Sequence, residues 1–121
     1  MTKTLKEKLG TPLYHASIAF MVASGLDAIS TSLCLRNGYR INNEGNDFVR
    51  YLMNQFGGDG GILAHNAFVI PAAIGLGYAL NKSFASLFKD LPKPSIETGT
   101  VLTYMFDISR LLSSYNNFSL L

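Results

Sequence analysis

The sequence predicts an all-α integral membrane protein: a bundle of three transmembrane helices, with a short amphipathic helix at the interface between the first two. Three observations predict it. Hydrophobic residues make up 48% of the 121, and charged residues only 15%, against about 25% in ordinary soluble domains. The run 60–81, GGILAHNAFVIPAAIGLGYALN, contains no charged residue. The predicted spans, 13–35, 61–81 and 98–119, each approach or exceed the roughly 20 residues that a crossing needs at about 1.5 Å of rise apiece. A chain of this length makes a single domain, 1–121. A soluble four-helix bundle also has apolar stripes and short loops. The second segment argues against it, being apolar all round with few positions to face water.

The elements follow in order. The N-terminal tail, TKTLKEKLG, is basic. The apolar run behind it is longer than the signal-peptide core of about 7–15 residues, so no cleaved signal is expected. GTPLYHASIAFMVASGL carries no charge, and Pro12 sits where a first helical turn tolerates it. Apolar character resumes after Asp27 and lasts to Leu35. Asn37-Gly38 is a turn signal. NDFVRYLMNQFGG then reads as the amphipathic helix. Asn46 caps it, Val49, Leu52, Met53 and Phe56 form one apolar face, and Gly57 ends it. It is expected to lie along the interface or to fold back onto the spans.

The glycines and Pro71 of the second span are ordinary in a membrane helix, where neighbours re-satisfy freed backbone groups. Ala73 and Gly77 form a small-xxx-small step that admits a close neighbour. In the second connection, SFASLFKDL reads as a further short surface helix and Pro92-Lys93-Pro94 as a break. The third span is apolar on balance but carries Asp107 and Arg110. Its polar residues Thr100, Thr103, Asp107, Arg110, Ser114 and Asn117 share one helical face. Ser17, Ser24, Asp27 and Thr31 do the same on the first span. Such stripes turn toward one another and away from lipid.

Basic residues set the orientation. Lys3, Lys6, Lys8, Lys82, Lys89 and Lys93 outnumber Arg36, Arg40 and Arg50. The N-terminus and the second connection are therefore expected in the cytoplasm, with the Asn-rich connection outside. A net charge of +2 with no basic stripe argues against nucleic acid. One cysteine, Cys34, excludes an intrachain disulfide framework and is expected to pack as a small apolar residue.

Asp27 poses the central question. A charge at bilayer depth costs at least about 2.5–3.5 kcal/mol on insertion scales, so it is paired or functional. Arg110 across the bundle is the expected partner for Asp27. The alternative pairs Arg110 with Asp107 at i, i+3. Two carboxylates sharing one arginine leave a negative charge over, to be offset by a proton or a cation. Glu44, Asn46 and Asp47, together with Asn43, concentrate oxygen-bearing side chains in the first connection. A helix N-terminus explains them as cap and first-turn acids. The functional reading is ligation of a hard cation, although the spacing is not that of an EF-hand.

With the first two spans antiparallel, His65 falls on the side of Glu44 and His15 on the other. His65, Glu44 and Asp47 then make a candidate transition-metal site. The simpler reading of His65 is a hydrogen-bonded interface residue, with Asn66 beside it reaching between helices. There is no G-x-S-x-G, H-E-x-x-H, P-loop or G-x-G-x-x-G. The residues name no cofactor and no catalytic set.

Asp27, Thr31, Gly38 and the pair Glu44-x-Asn46 resemble the pattern of a family of small prokaryotic multi-span membrane proteins of unknown function. In that family an Asp, and a Thr one turn later, close the first span. A Gly follows, and an E-x-N-P motif opens the next helix. The resemblance covers 27–47 and the three-span plan. This chain has Asp47 in place of the Pro, and no basic residue within its second span. The resemblance implies a membrane protein in which Asp27, Thr31, Glu44 and Asn46 act together, and it implies no reaction.

The expected function is thus non-enzymatic: a small membrane subunit or binding module whose polar core locks the bundle or holds a cation or polar ligand. Its expected partners are the lipid bilayer, other membrane subunits or further copies of itself. The alternative is a proton- or cation-linked carrier, a holin-like pore, or a membrane enzyme using Asp27, Asp107 and Glu44. A cavity reaching Asp27 separates these from a purely structural core.

Overall fold

The structure, a computed structural model, describes residues 3–40, 44, 46–92 and 97–121. Among them all regular structure is helical, in five elements. Asn43 of the oxygen-rich cluster and Lys93 lie outside the described residues, as does the Lys93-Pro94 part of the expected break.

The first element, α1 (Leu5–Leu9), was not expected from the sequence. The Thr4 hydroxyl accepts from the Glu7 amide and sets up one short turn. Gly10, at φ 84°, separates it from α2 (Thr11–Arg36), which carries Pro12 in its first turn. α2 ends at Asn37-Gly38, and Gly38 takes φ 98°, a conformation natural to glycine.

The short helix α3 (Asp47–Phe56) starts as expected. The Asn46 side-chain oxygen accepts from the amides of Phe48 and Val49, and Gly57 at φ 83° ends it. Val49 and Met53 pack on Ile62, with Ala28 and Leu35 beside them. Phe56 stands apart from that face and is exposed, at the corner next to Gly60. Of the two expected placements, the structure takes the fold-back. A Cβ on Gly61 would lie 2.4 Å from the Met53 backbone, so α3 rests directly on the first turns of the next helix.

That helix, α4 (Gly58–Leu87), passes through Pro71 without ending. It also absorbs 83–87, where a separate surface helix was expected. Nothing between Asn81 and Leu87 breaks a helix, and the first proline after Pro71 is Pro92. α5 (Thr98–Ser119) completes the chain.

α2 and α5 run parallel. Phe20 meets Phe106, Asp27 meets Arg110, and the Cys34 thiol donates to the Asn117 carbonyl, both numbers rising together. α4 runs against them. Its closest approach to α5 is at Gly77 and Gly99, where a Cβ on Gly99 would lie 2.0 Å from the Gly77 carbonyl oxygen. Asn81 fastens the same place: its side-chain oxygen accepts from the Gly99 amide at 2.7 Å, and its amide nitrogen donates to the Thr100 hydroxyl at 3.3 Å. Ala73 and Gly77 are both buried, as their spacing predicts.

The bundle buries polar side chains beside an apolar core that includes Leu13, Phe20 and Met53, and it exposes many large apolar ones. Ser17, Ser24, Ser30, Thr103, Asp107 and Ser114 are buried, while Val22, Leu63, Phe68, Met105, Ile108 and Leu112 are exposed. α2 and α4 are long and apolar enough to cross a membrane, yet only 28% and 22% of their most apolar windows is buried within the bundle. α5, at 22 residues, has the length without the apolarity. The expectation of three apolar spans thus holds by composition for two helices.

Candidate functional site: a polar cavity at Asp27

Asp27 projects from α2 nine residues before its last residue, Arg36. One carboxylate oxygen accepts from Arg110 Nη1 at 2.7 Å. The other accepts from the Ser113 hydroxyl at 2.7 Å and, at 3.5 Å, from the Asn117 side-chain amide. Arg110, Ser113 and Asn117 follow i, i+3, i+7 spacing and so present one face of α5. The same Asn117 amide donates to Ser30 Oγ at 3.1 Å and Thr31 Oγ1 at 3.0 Å. Those two hydroxyls donate back to the Asp27 carbonyl, at 2.9 and 2.8 Å. Each hydroxyl thus gives its single proton to its own helix and keeps a lone pair for α5.

Arg110 is held on both amino groups. Nη1 goes to Asp27, and Nη2 donates to the Asn66 side-chain oxygen of α4 at 3.4 Å. The guanidinium also lies 5.9 Å from the centre of the Phe20 ring, a cation–π distance. The Asp27 and Arg110 side chains are 14% and 16% exposed, so the pair is screened from bulk water but not sealed.

The pair borders a cavity of about 400 Å³. α2 and α5 supply Asp27, Thr31, Arg110 and Asn117; α4 supplies His65 and Asn66. Glu44 and Asn46 close it from the first connection. Binding sites for small molecules commonly run to about 300–1,000 Å³, so the space suits one small ligand. Asp27, Thr31, Glu44, Asn46 and Arg110, singled out from the sequence, therefore share one space. Asn46 does two things there: it caps α3, and its own amide donates to Glu44 Oε1 at 3.2 Å. The Glu44 carbonyl accepts from Arg50 Nη1, which anchors this stretch to α3.

Asp47 does not join the site. It pairs with Arg50 one turn on, and its side chain is 88% exposed. The candidate metal site of His65, Glu44 and Asp47 therefore lacks its third member. Among the described residues no three His, Cys, Asp or Glu side chains come together to hold a metal ion. His65 is buried in the cavity wall, with the Phe48 ring edge-on at 5.7 Å. His15 is exposed, near the start of α2 and far from the cavity.

Asp107 does not pair with Arg110 either, because Asp27 and Asn66 already engage both amino groups. It is buried about one turn deeper along α5, and among the described residues neither of its carboxyl oxygens has a hydrogen-bond partner. The hydroxyls of Ser17 and Ser24, on the polar stripe of α2, are likewise unpartnered.

Ser113 was missed in the sequence. The stripe named Ser114, which is buried and donates instead to the Arg110 carbonyl of its own helix at 2.9 Å. The usable signal was the i+3 spacing from Arg110. The cavity offers both hydrogen-bond donors and acceptors beside an apolar part of its wall, Ala28, Val49, Ile62 and Val69, and its fixed charges are two carboxylates, Asp27 and Glu44, against one guanidinium. Comparison with known protein families, curated proteins and solved structures finds no match.

Proposed function

We propose that the chain is a multi-pass membrane protein, crossing with α2, α4 and α5, that binds a small polar ligand in the cavity at Asp27 and catalyses no reaction on it. The cavity itself carries the reading. A polar core that only locked the helices together would be dry and fully paired. Here space of about 400 Å³ adjoins the ion pair, with Glu44, Asn46 and His65 around it.

The membrane part rests on the many large apolar side chains that the bundle exposes and on the charge-free run of α4. α5 joins as a third span because its polar face is covered by α2 and α4 and its outer face, with Met105, Ile108 and Leu112, is apolar. The lysine bias favours a cytoplasmic N-terminus, which leaves the cavity mouth and α3 on the far side. Likeness to the small prokaryotic membrane family in Asp27, Thr31, Gly38 and Glu44-x-Asn46 supports the same grouping of residues. A proton- or cation-linked carrier is the second reading, favoured by unpartnered Asp107 on the seam below the cavity.

The test is extraction and native purification. The chain is expected to resist carbonate extraction and to retain a ligand in mild detergent, which Asp27→Asn loses. Monodisperse protein in the aqueous fraction without detergent refutes the membrane reading. Cysteines placed at Lys6, Glu44 and Lys89, after Cys34→Ala, should label from opposite sides, with Glu44 alone on its side.

A further inference from the structure

We infer that the ligand is a membrane lipid, with its head in the polar cavity and an acyl chain in an apolar groove that adjoins it. This rests on the polar-ligand reading above and names the class of ligand.

A second cavity, of about 290 Å³, adjoins the first. Phe20, Ala72, Ala73, Leu76 and Phe106 line it. Val69, Ser109 and Arg110 line both cavities, so the polar chamber and the groove share a wall. Ala72 and Leu76 are exposed on α4, which leaves the groove open sideways. A chain can enter it laterally, without passing the polar mouth.

The direction of the groove distinguishes a lipid from a freely dissolved solute. On α2 the step from the chamber residue Asp27 to the groove residue Phe20 is seven positions. On α4 the step from Asn66 to Ala73 is seven, and on α5 from Ser113 to Phe106 it is seven. Each corresponds to roughly 10 Å along a helix axis. All three steps run from the α3 end of the bundle toward its middle. A lipid in the leaflet on that side has the same sense, head outward and chain inward. A polar solute confined to the chamber would leave the groove beside it unfilled.

The chamber also limits the head. Two carboxylates face one guanidinium whose amino groups are both engaged within the protein. The surplus is negative. A head with net negative charge is repelled, and one ending in an amine can set its ammonium near Glu44 while its phosphate meets the side-chain amides and hydroxyls of the wall.

Native mass spectrometry of the full chain in detergent tests this with three probes: palmitoyl-lysophosphatidylethanolamine, chainless glycerophosphoethanolamine and palmitoyl-lysophosphatidylglycerol. One molecule of the first is expected to bind, about tenfold or more tighter than either of the others. Ala72→Phe and Leu76→Phe fill the groove from exposed positions. Each should weaken that lipid about tenfold and leave the chainless head unchanged. Two variants guard against one failing to fold, and circular dichroism checks both. If the chainless head binds as tightly as the lipid and the groove variants do nothing, the lipid inference falls and the polar-ligand reading stands. Preference for the phosphoglycerol lipid overturns the amine head. Binding of none of the three, with nothing retained from the native membrane, overturns both readings.

Discussion

Asp27→Ala strands Arg110. The guanidinium would keep one protein hydrogen bond, to Asn66 at 3.4 Å, and the face of Phe20. Removing one partner of a buried pair costs about 3–5 kcal/mol, mostly because the other charge stays desolvated. These side chains are 14% and 16% exposed and border a cavity, so the lower end, about 3 kcal/mol, is expected. Arg110→Leu should cost less, about 2 kcal/mol, because Asp27 keeps Ser113 and Asn117 as donors. The double variant Asp27→Ala/Arg110→Leu leaves neither member of this pair stranded. It should recover about 1–3 kcal/mol relative to the sum of the single changes, the usual coupling for residues in contact. The assay is loss of helicity on titrating SDS into mild-detergent micelles, followed by circular dichroism. If the two changes add to within about 0.5 kcal/mol, the residues do not act as a pair, and the account of the polar core fails.

Three further outcomes can be measured, by the same titration or by hydrogen exchange. Gly99→Val drives a side chain into the Gly77 carbonyl, where only backbone can yield, and should cost about 3 kcal/mol or prevent folding. Asn46→Ala removes the cap of α3 at about 1 kcal/mol, and hydrogen exchange at Phe48 and Val49 should accelerate without change at Thr103. Asp107→Leu removes a buried carboxyl that has no hydrogen-bond partner among the described residues and should raise stability by about 1–3 kcal/mol; a fall would show that Asp107 has a partner beyond them.

The helices and the pairing of polar faces were legible because both depend on period alone. Asn46 and Gly57 marked the ends of α3 by local chemistry, and Asp27 with Arg110 followed from two stripes at matching depth. What escaped depended on angles that periodicity cannot resolve. Ser113 and Ser114 are 100° apart on α5, and which one meets α2 is fixed by how far the helix is rotated. Asp107 and Arg110 share a face, yet the arginine turns to α2 and α4 because its partners there leave neither amino group over. The extension of α4 through 83–87 escapes because polar and charged residues suggest the end of an apolar span, and a helix does not stop where its apolarity does. The cavity and groove were invisible for a simpler reason: both are space between helices, and Ala72 and Leu76 look like any outward apolar residues.

The glycine contact between α4 and α5 has a mechanical consequence. Gly77, Asn81 and Gly99 clamp the two helices at the end remote from the cavity. From Gly77 to His65 is twelve residues, a lever arm of roughly 18 Å. A rotation of about 5° about that clamp swings the cavity end by roughly 1.5 Å on an arm of this length. The bundle is built like tongs, with a fulcrum of bare backbone and jaws lined by Asn66, His65 and Arg110. Widening the mouth about this fulcrum would require the ties at the start of α4 to yield: Asp59 with Ser32 and Arg36 of α2, and Asn66 with Arg110 of α5.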